Sequence, residues 1–160
     1  MFSVEIICVG KLKERFYIDA AAEYQKRLSP FCKLRVIELQ EERLPQNPSQ
    51  ALITAALKKE AAAIRSKLPP NASTVALCIE GKLRSSQELA DLLRTWENSP
   101  AKHLVFLIGS SYGLDEELKN EAWIRLSMSP MTFPHHLARV MLLEQVYRAF
   151  QINAGSPYHK

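Results

Sequence analysis

Cysteine is scarce in this 160-residue chain: Cys8, Cys32 and Cys78 are widely spaced, with no CxxC pair and no Cys/His cluster at zinc-like intervals. Neither a disulfide framework nor a structural metal site is expected from that pattern. Long hydrophobic runs are missing too, so no segment reaches membrane-spanning length. The stretch from Met1 to Gly10 is apolar but contains Glu5, and it has no basic leading region and no small-residue cleavage site, so it does not read as a signal peptide. The five glycines form neither GxGxxG nor the loop before a GK[ST]. That leaves out the dinucleotide-binding fingerprint and the P-loop. The absences together predict a cytoplasmic protein without a metal and without a membrane partner.

What is present is ordinary: 47% apolar and 24% charged residues, enough for one folded domain over residues 1–160. The net charge of +4 is modest, yet it is unevenly placed. Between Lys11 and Arg35 lie seven bases and three acids, an excess equal to that of the whole chain. Such a segment is either a footprint for phosphate or a solvated helix face.

Four short apolar runs, Val4 to Val9, Leu34 to Leu39, Thr74 to Ile79 and Leu104 to Ile108, read as strands. Between them, Lys13 to Leu28, Ser49 to Leu68 and Ser85 to Trp96 carry helical spacing, with Ser49 and Ser86 in capping contexts. A short helix around Asp115 to Ala122, a fifth strand within Trp123 to Ser129 and a last helix from about Pro134 to Asn153 complete the chain. Alternation of helices with nearly continuous apolar strands predicts an α/β fold with a parallel sheet.

The loop Gly109 to Gly113 follows a strand at the sheet's carboxyl end, where open α/β sheets bind ligands, and it reads either as a ligand loop or as a plain turn. On the last helix Arg139, Leu143, Val146 and Phe150 share a stripe with Val140 and Tyr147, while Glu144, Arg148 and Gln151 lie opposite. Two accounts of Arg139 stand side by side: it snorkels to the helix end, or the stripe docks on another subunit and Arg139 points into a site between them. Three of the four histidines, His135, His136 and His159, fall in the last 26 residues. His135 is either a helix-start hydrogen-bonding residue or a general base. The terminal Pro157-Tyr158-His159-Lys160 joins an aromatic, a titratable and a cationic group, suited to stacking on a base and holding a phosphate unless it is simply frayed.

Four stretches carry a resemblance: Ile108-Gly109-Ser110-Ser111-Tyr112-Gly113-Leu114; Leu126 to His135; Arg139-x-x-Leu142-Leu143-Glu144-Gln145-Val146-Tyr147-Arg148-Ala149; and Pro157 to Lys160. With Val9 to Glu14 and Leu77 to Lys82 they span essentially the whole chain, which resembles the RlmH family. These are bacterial methyltransferases of the large ribosomal subunit RNA that act on N3 of a pseudouridine in 23S rRNA. The resemblance implies a SPOUT-type α/β fold with a carboxyl-terminal trefoil knot, an obligate homodimer, S-adenosylmethionine (SAM) as methyl donor, and 23S rRNA or the 70S ribosome as partner. It implies cofactor contacts at Leu77, Gly109, Met128, Ser129, Pro130, Met131, Thr132 and Phe133. Candidates for the chemistry are Arg139 as anion stabiliser, His135 or His159 as proton acceptor, and Tyr158 as a stacking residue. The Lys11 to Arg35 segment is the expected RNA contact. Ser110 stands where the family has a second glycine, a change that bears on cofactor affinity. The competing reading is a non-catalytic RNA-binding ribosome-assembly factor on the same scaffold.

Overall fold

The computed structural model describes residues 2–160. Ten elements alternate: β1 (Phe2–Val9), α1 (Arg15–Leu28), β2 (Cys32–Leu39), α2 (Gln50–Lys67), β3 (Ala72–Leu83), α3 (Ser86–Glu97), β4 (His103–Ile108), α4 (Glu116–Glu121), β5 (Ile124–Ser127) and α5 (His135–Asn153). The five strands form one sheet in the order β2-β1-β4-β3-β5, with every pairing parallel. This is the predicted α/β arrangement, and placing β3 between β4 and β5 is consistent with a knotted crossing. No helix among the described residues is long and apolar enough to cross a membrane.

Alternation along the strands divides the interior in two. Val4, Ile6 and Cys8 of β1 with Leu104, Phe106 and Ile108 of β4 face α1, α3 and α5. Ile7 and Val9 with Val105 and Leu107 face Ala61 and Ile64 of α2 and Leu118 of α4. Both faces are covered, which is why these strands carry apolar residues almost without interruption.

The helix starts follow local chemistry. Ser49 caps α2 by accepting from the Leu52 N–H (3.2 Å). At α3 the cap is Ser85, not Ser86: Ser85 and Glu88 form a reciprocal capping box, while the Ser86 hydroxyl donates to Gln145 (2.7 Å). Pro134 lies one residue ahead of α5, and its carbonyl accepts the first helical hydrogen bond, from Ala138.

The stripe on α5 corrects both accounts of Arg139. Leu143, Val146 and Phe150 are buried in this chain's own core, packed with α1 and α3. The helix is apolar because it covers a sheet face, so the stripe needs no second subunit to bury it. Arg139 neither snorkels nor opens outward: it is 2% exposed, with one guanidinium nitrogen on Glu38 Oε2 (2.5 Å) and the other donating to the Gly10 carbonyl (2.9 Å).

Candidate active site

The connections at the carboxyl ends of β4 and β5, with Leu77 to Glu80 of β3, border a cavity of about 320 Å³. One wall is the turn after β4. A Cβ built on Gly109 would lie 2.2 Å from the Gly113 carbonyl oxygen, so only glycine lets the chain double back this closely. The Ser110 carbonyl accepts from the Gly113 N–H (2.8 Å), closing the turn. The facing wall is the segment after β5, where Ser129 Oγ accepts from the Met131 N–H (2.9 Å) and the Ser127 hydroxyl donates to the Ser129 carbonyl (3.1 Å). Leu77 and its neighbours in β3 form the third side, and His135 with Ala138 of α5 the fourth.

Of the residues expected to hold a cofactor, Leu77, Gly109, Met128, Ser129, Met131, Thr132 and Phe133 line this cavity, and Pro130 does not. Sequence reading missed Glu80 and Lys119, which also line it. Lys119 forms ion pairs with Glu80 and with Glu116 (3.0 Å). The Lys119 ammonium holds Glu80 below the usual carboxylate range; burial pulls Lys119 down, but its two acid partners outweigh burial and raise it. An ionised pair therefore borders an otherwise largely apolar chamber. Cys78 lines it as well; burial, then the Glu80 charge, pushes its thiol up, so a thiolate nucleophile is not available there.

His135 sits at the first position of α5 with its ring against Gly10, where a Cβ would come within 3.1 Å of Cε1 at a φ of +111°. Its ring lies 4.2 Å from that of His136. Burial lowers its pKa, followed by the neighbouring His136 charge, while Glu41 opposes. A neutral imidazole facing the cavity is the result.

Tyr158 and His159 are not at this cavity. The tail folds back on α5: the Tyr158 hydroxyl donates to Glu144 Oε1 (3.1 Å), Arg148 lies over the Tyr158 ring (4.8 Å), and His159 Nδ1 lies 3.2 Å from Arg148. Glu144 is nine residues along the helix from His135, about 13 Å at 1.5 Å per residue. The tail is thus docked rather than frayed, away from the cavity of its own chain. Arg139 is also outside the lining; it holds the segment on which His135 rests.

The basic segment is split by α1, which leads away from the cavity end of the sheet. Lys11, Lys13 and Arg15 remain near Gly10, whereas Lys33 stands near the start of β2 and Arg27 is engaged with Glu23 (3.0 Å). A continuous patch from Lys11 to Arg35 does not form.

Comparison with known proteins accounts for the whole chain. Residues 2–159 match the family described as "Predicted SPOUT methyltransferase". A protein from Bifidobacterium animalis subsp. lactis is 48% identical over 158 residues, and one from Clostridium novyi is 46% identical over 158 residues; each match covers 99% of both chains. A third, from Pelotomaculum thermopropionicum, is 42% identical over 159 residues, again covering 99% of both. All three are named ribosomal RNA large subunit methyltransferase H. Two solved structures share the fold: a probable methyltransferase from Bordetella pertussis Tohama I (TM-score 0.56, 17% identity, 93% of this chain and 96% of that one) and a probable methylase family protein from Haemophilus influenzae Rd KW20 (TM-score 0.55, 14% identity, 99% and 71%). On a family match that spans nearly every residue, the chain belongs to the SPOUT methyltransferases.

Proposed function

We propose that this chain methylates ribosomal RNA of the large subunit, at N3 of a pseudouridine in 23S rRNA, with SAM as donor. The observation that carries the reading is the cavity itself: two loop walls at the carboxyl ends of β4 and β5, one tightly wound about Gly109, facing Leu77 and its neighbours in β3, with a neutral histidine at the edge. Its apolar lining and size suit a nucleoside-sized ligand. When bound, SAM supplies an electrophilic methyl group on a sulfonium.

The residues have separable tasks. Backbone groups of Gly109 to Gly113 and of Met128 to Phe133 hold the adenosine portion, and Glu80 accepts from a hydroxyl or an ammonium. Methyl transfer to a ring nitrogen requires that nitrogen to lose its proton, and neutral His135 accepts it. Arg139 is a positioning residue, fixing Gly10 and with it the His135 ring. A homodimer completes the site, the partner's tail bringing Tyr158 and His159 toward RNA, since neither reaches the cavity of its own chain. Lys11, Lys13 and Arg15 hold phosphate near the mouth, so binding weakens steeply with salt. The protein acts in the cytoplasm.

Labelled SAM incubated with the protein and 70S ribosomes, free 23S RNA or transfer RNA tests this directly. Label is expected in 23S RNA of the ribosomes. Label in transfer RNA alone would redirect the substrate, and label in none of them would favour a non-catalytic assembly factor.

A further inference from the structure

The face of α2 that covers the sheet is apolar except at one point, where Glu60 is 5% exposed. An acid so placed loses hydration and must find donors. Glu60 has two. Oε1 accepts from the Ser110 hydroxyl (3.0 Å) and Oε2 from the Glu42 N–H (2.9 Å). Ser110 is itself buried and belongs to the cavity wall, directly after Gly109. The next residue repeats the arrangement nearer the surface, the Ser111 hydroxyl donating to Glu41 Oε1 (3.3 Å). Two consecutive serines of the turn are thereby tied to the segment after β2, one through a buried acid on α2 and one directly.

The turn is closed on itself by the Gly113 N–H donating to the Ser110 carbonyl and by the packing of Gly113 against Gly109. A contact that fixes Ser110 fixes the backbone facing the ligand. From this geometry we infer that Glu60 is a positioning residue for the donor pocket: through Ser110 it holds the Gly109–Gly113 wall in its ligand-binding form, and so governs donor affinity rather than the chemical step. The inference rests on the reading of the cavity as the SAM site. Burial, with Glu41 and Glu42 adding to it, raises the Glu60 carboxyl, as expected for an acid whose two donors only partly replace water.

The test is calorimetric titration with S-adenosylhomocysteine, paired with initial rates at saturating SAM, on the full chain and its variants. Ser110→Ala removes one small donor and should raise the dissociation constant about tenfold, leaving the saturated rate within about twofold. Glu60→Gln should bind nearly as the parent does: its carbonyl can accept from Glu42 and its amide can donate to the Ser110 oxygen. Glu60→Leu, which also takes the acceptor from the Glu42 N–H, should weaken binding at least as much as Ser110→Ala, and the double variant should be no worse than Glu60→Leu, since the Ser110 contact is already broken there. Far-ultraviolet dichroism checks the fold; if Glu60→Leu is unfolded, Ser110→Ala and Glu60→Gln decide the matter. Ser110→Ala binding like the parent overturns the inference while the cavity reading stands. Failure of Glu60→Gln to bind, in a folded protein, also overturns it. A parent protein that binds no S-adenosylhomocysteine overturns both.

Discussion

The two loop walls of the cavity are built differently. The turn Gly109–Gly113 starts from a buried strand end and is fastened by Glu60, Glu41 and its own closing hydrogen bond. The segment from Met128 to Phe133 follows a strand of only four residues and is organised chiefly by Ser127 and Ser129, and Met131 is 72% exposed. Loops with few buried contacts open at low free energy, whereas those tied to a core do not. The first wall is therefore expected to be in place before a ligand arrives, and the second to gain order when one binds.

Breaking the preformed wall should have the largest effect. Gly109→Ala forces a Cβ against the Gly113 carbonyl, and donor binding should weaken on the order of 100-fold, read by calorimetry on a protein whose dichroism is unchanged. Arg139→Ala, which takes the guanidinium donor from the Gly10 carbonyl and leaves a void beneath the His135 edge, should lower stability by about 2 kcal/mol in urea unfolding. Turnover should then fall in the protein that remains folded, because Gly10 and His135 lose their support. On the open wall, Ser129→Ala removes one partly exposed hydrogen bond, and a rise of only about threefold in the dissociation constant is expected.

The pH dependence separates the exposed Glu38 from the buried Glu60 by sign. Burial pulls Glu38 upward, but the Leu12 N–H and the Arg139 guanidinium outweigh it and hold its carboxyl below the usual range. Its stabilising contribution is complete above the unfolded value of about 4.3 and is lost as pH falls through the lower folded one. Glu60, raised instead, detracts from stability at neutral pH, and that penalty fades as pH falls through its folded value toward the unfolded one. Glu38→Gln should accordingly flatten the acid side of the stability curve, and Glu60→Gln should raise the melting temperature slightly at pH 7.

Periodicity identified the strands because an α/β sheet buries both faces, and the strand ends then located the cavity. It could not say what the α5 stripe touches: an apolar face reveals that something covers it, and here the cover is the chain's own sheet and helices. The Arg139–Glu38 pair joins residues 101 apart, and Ser110–Glu60 spans 50, so neither leaves a local signal. The α3 cap was readable, since Ser85 and Glu88 stand at capping-box spacing. Strand β3 extends to Leu83 beyond the apolar run because its last residues pair with β5 after a register shift, a tertiary effect. Tyr158 and His159 looked suited to RNA by residue type, but sequence did not disclose that Glu144 and Arg148 hold them on α5.

Whether the proposed donor pocket has one wall set in advance and one set by the ligand is tested most directly by amide hydrogen exchange with and without S-adenosylhomocysteine. Amides in 109–113 should already be protected in the free protein and change little, while those in 128–133 should gain at least about tenfold protection on binding. Saturating ligand that leaves 128–133 unchanged, or that protects 109–113 instead, would contradict this division of the pocket.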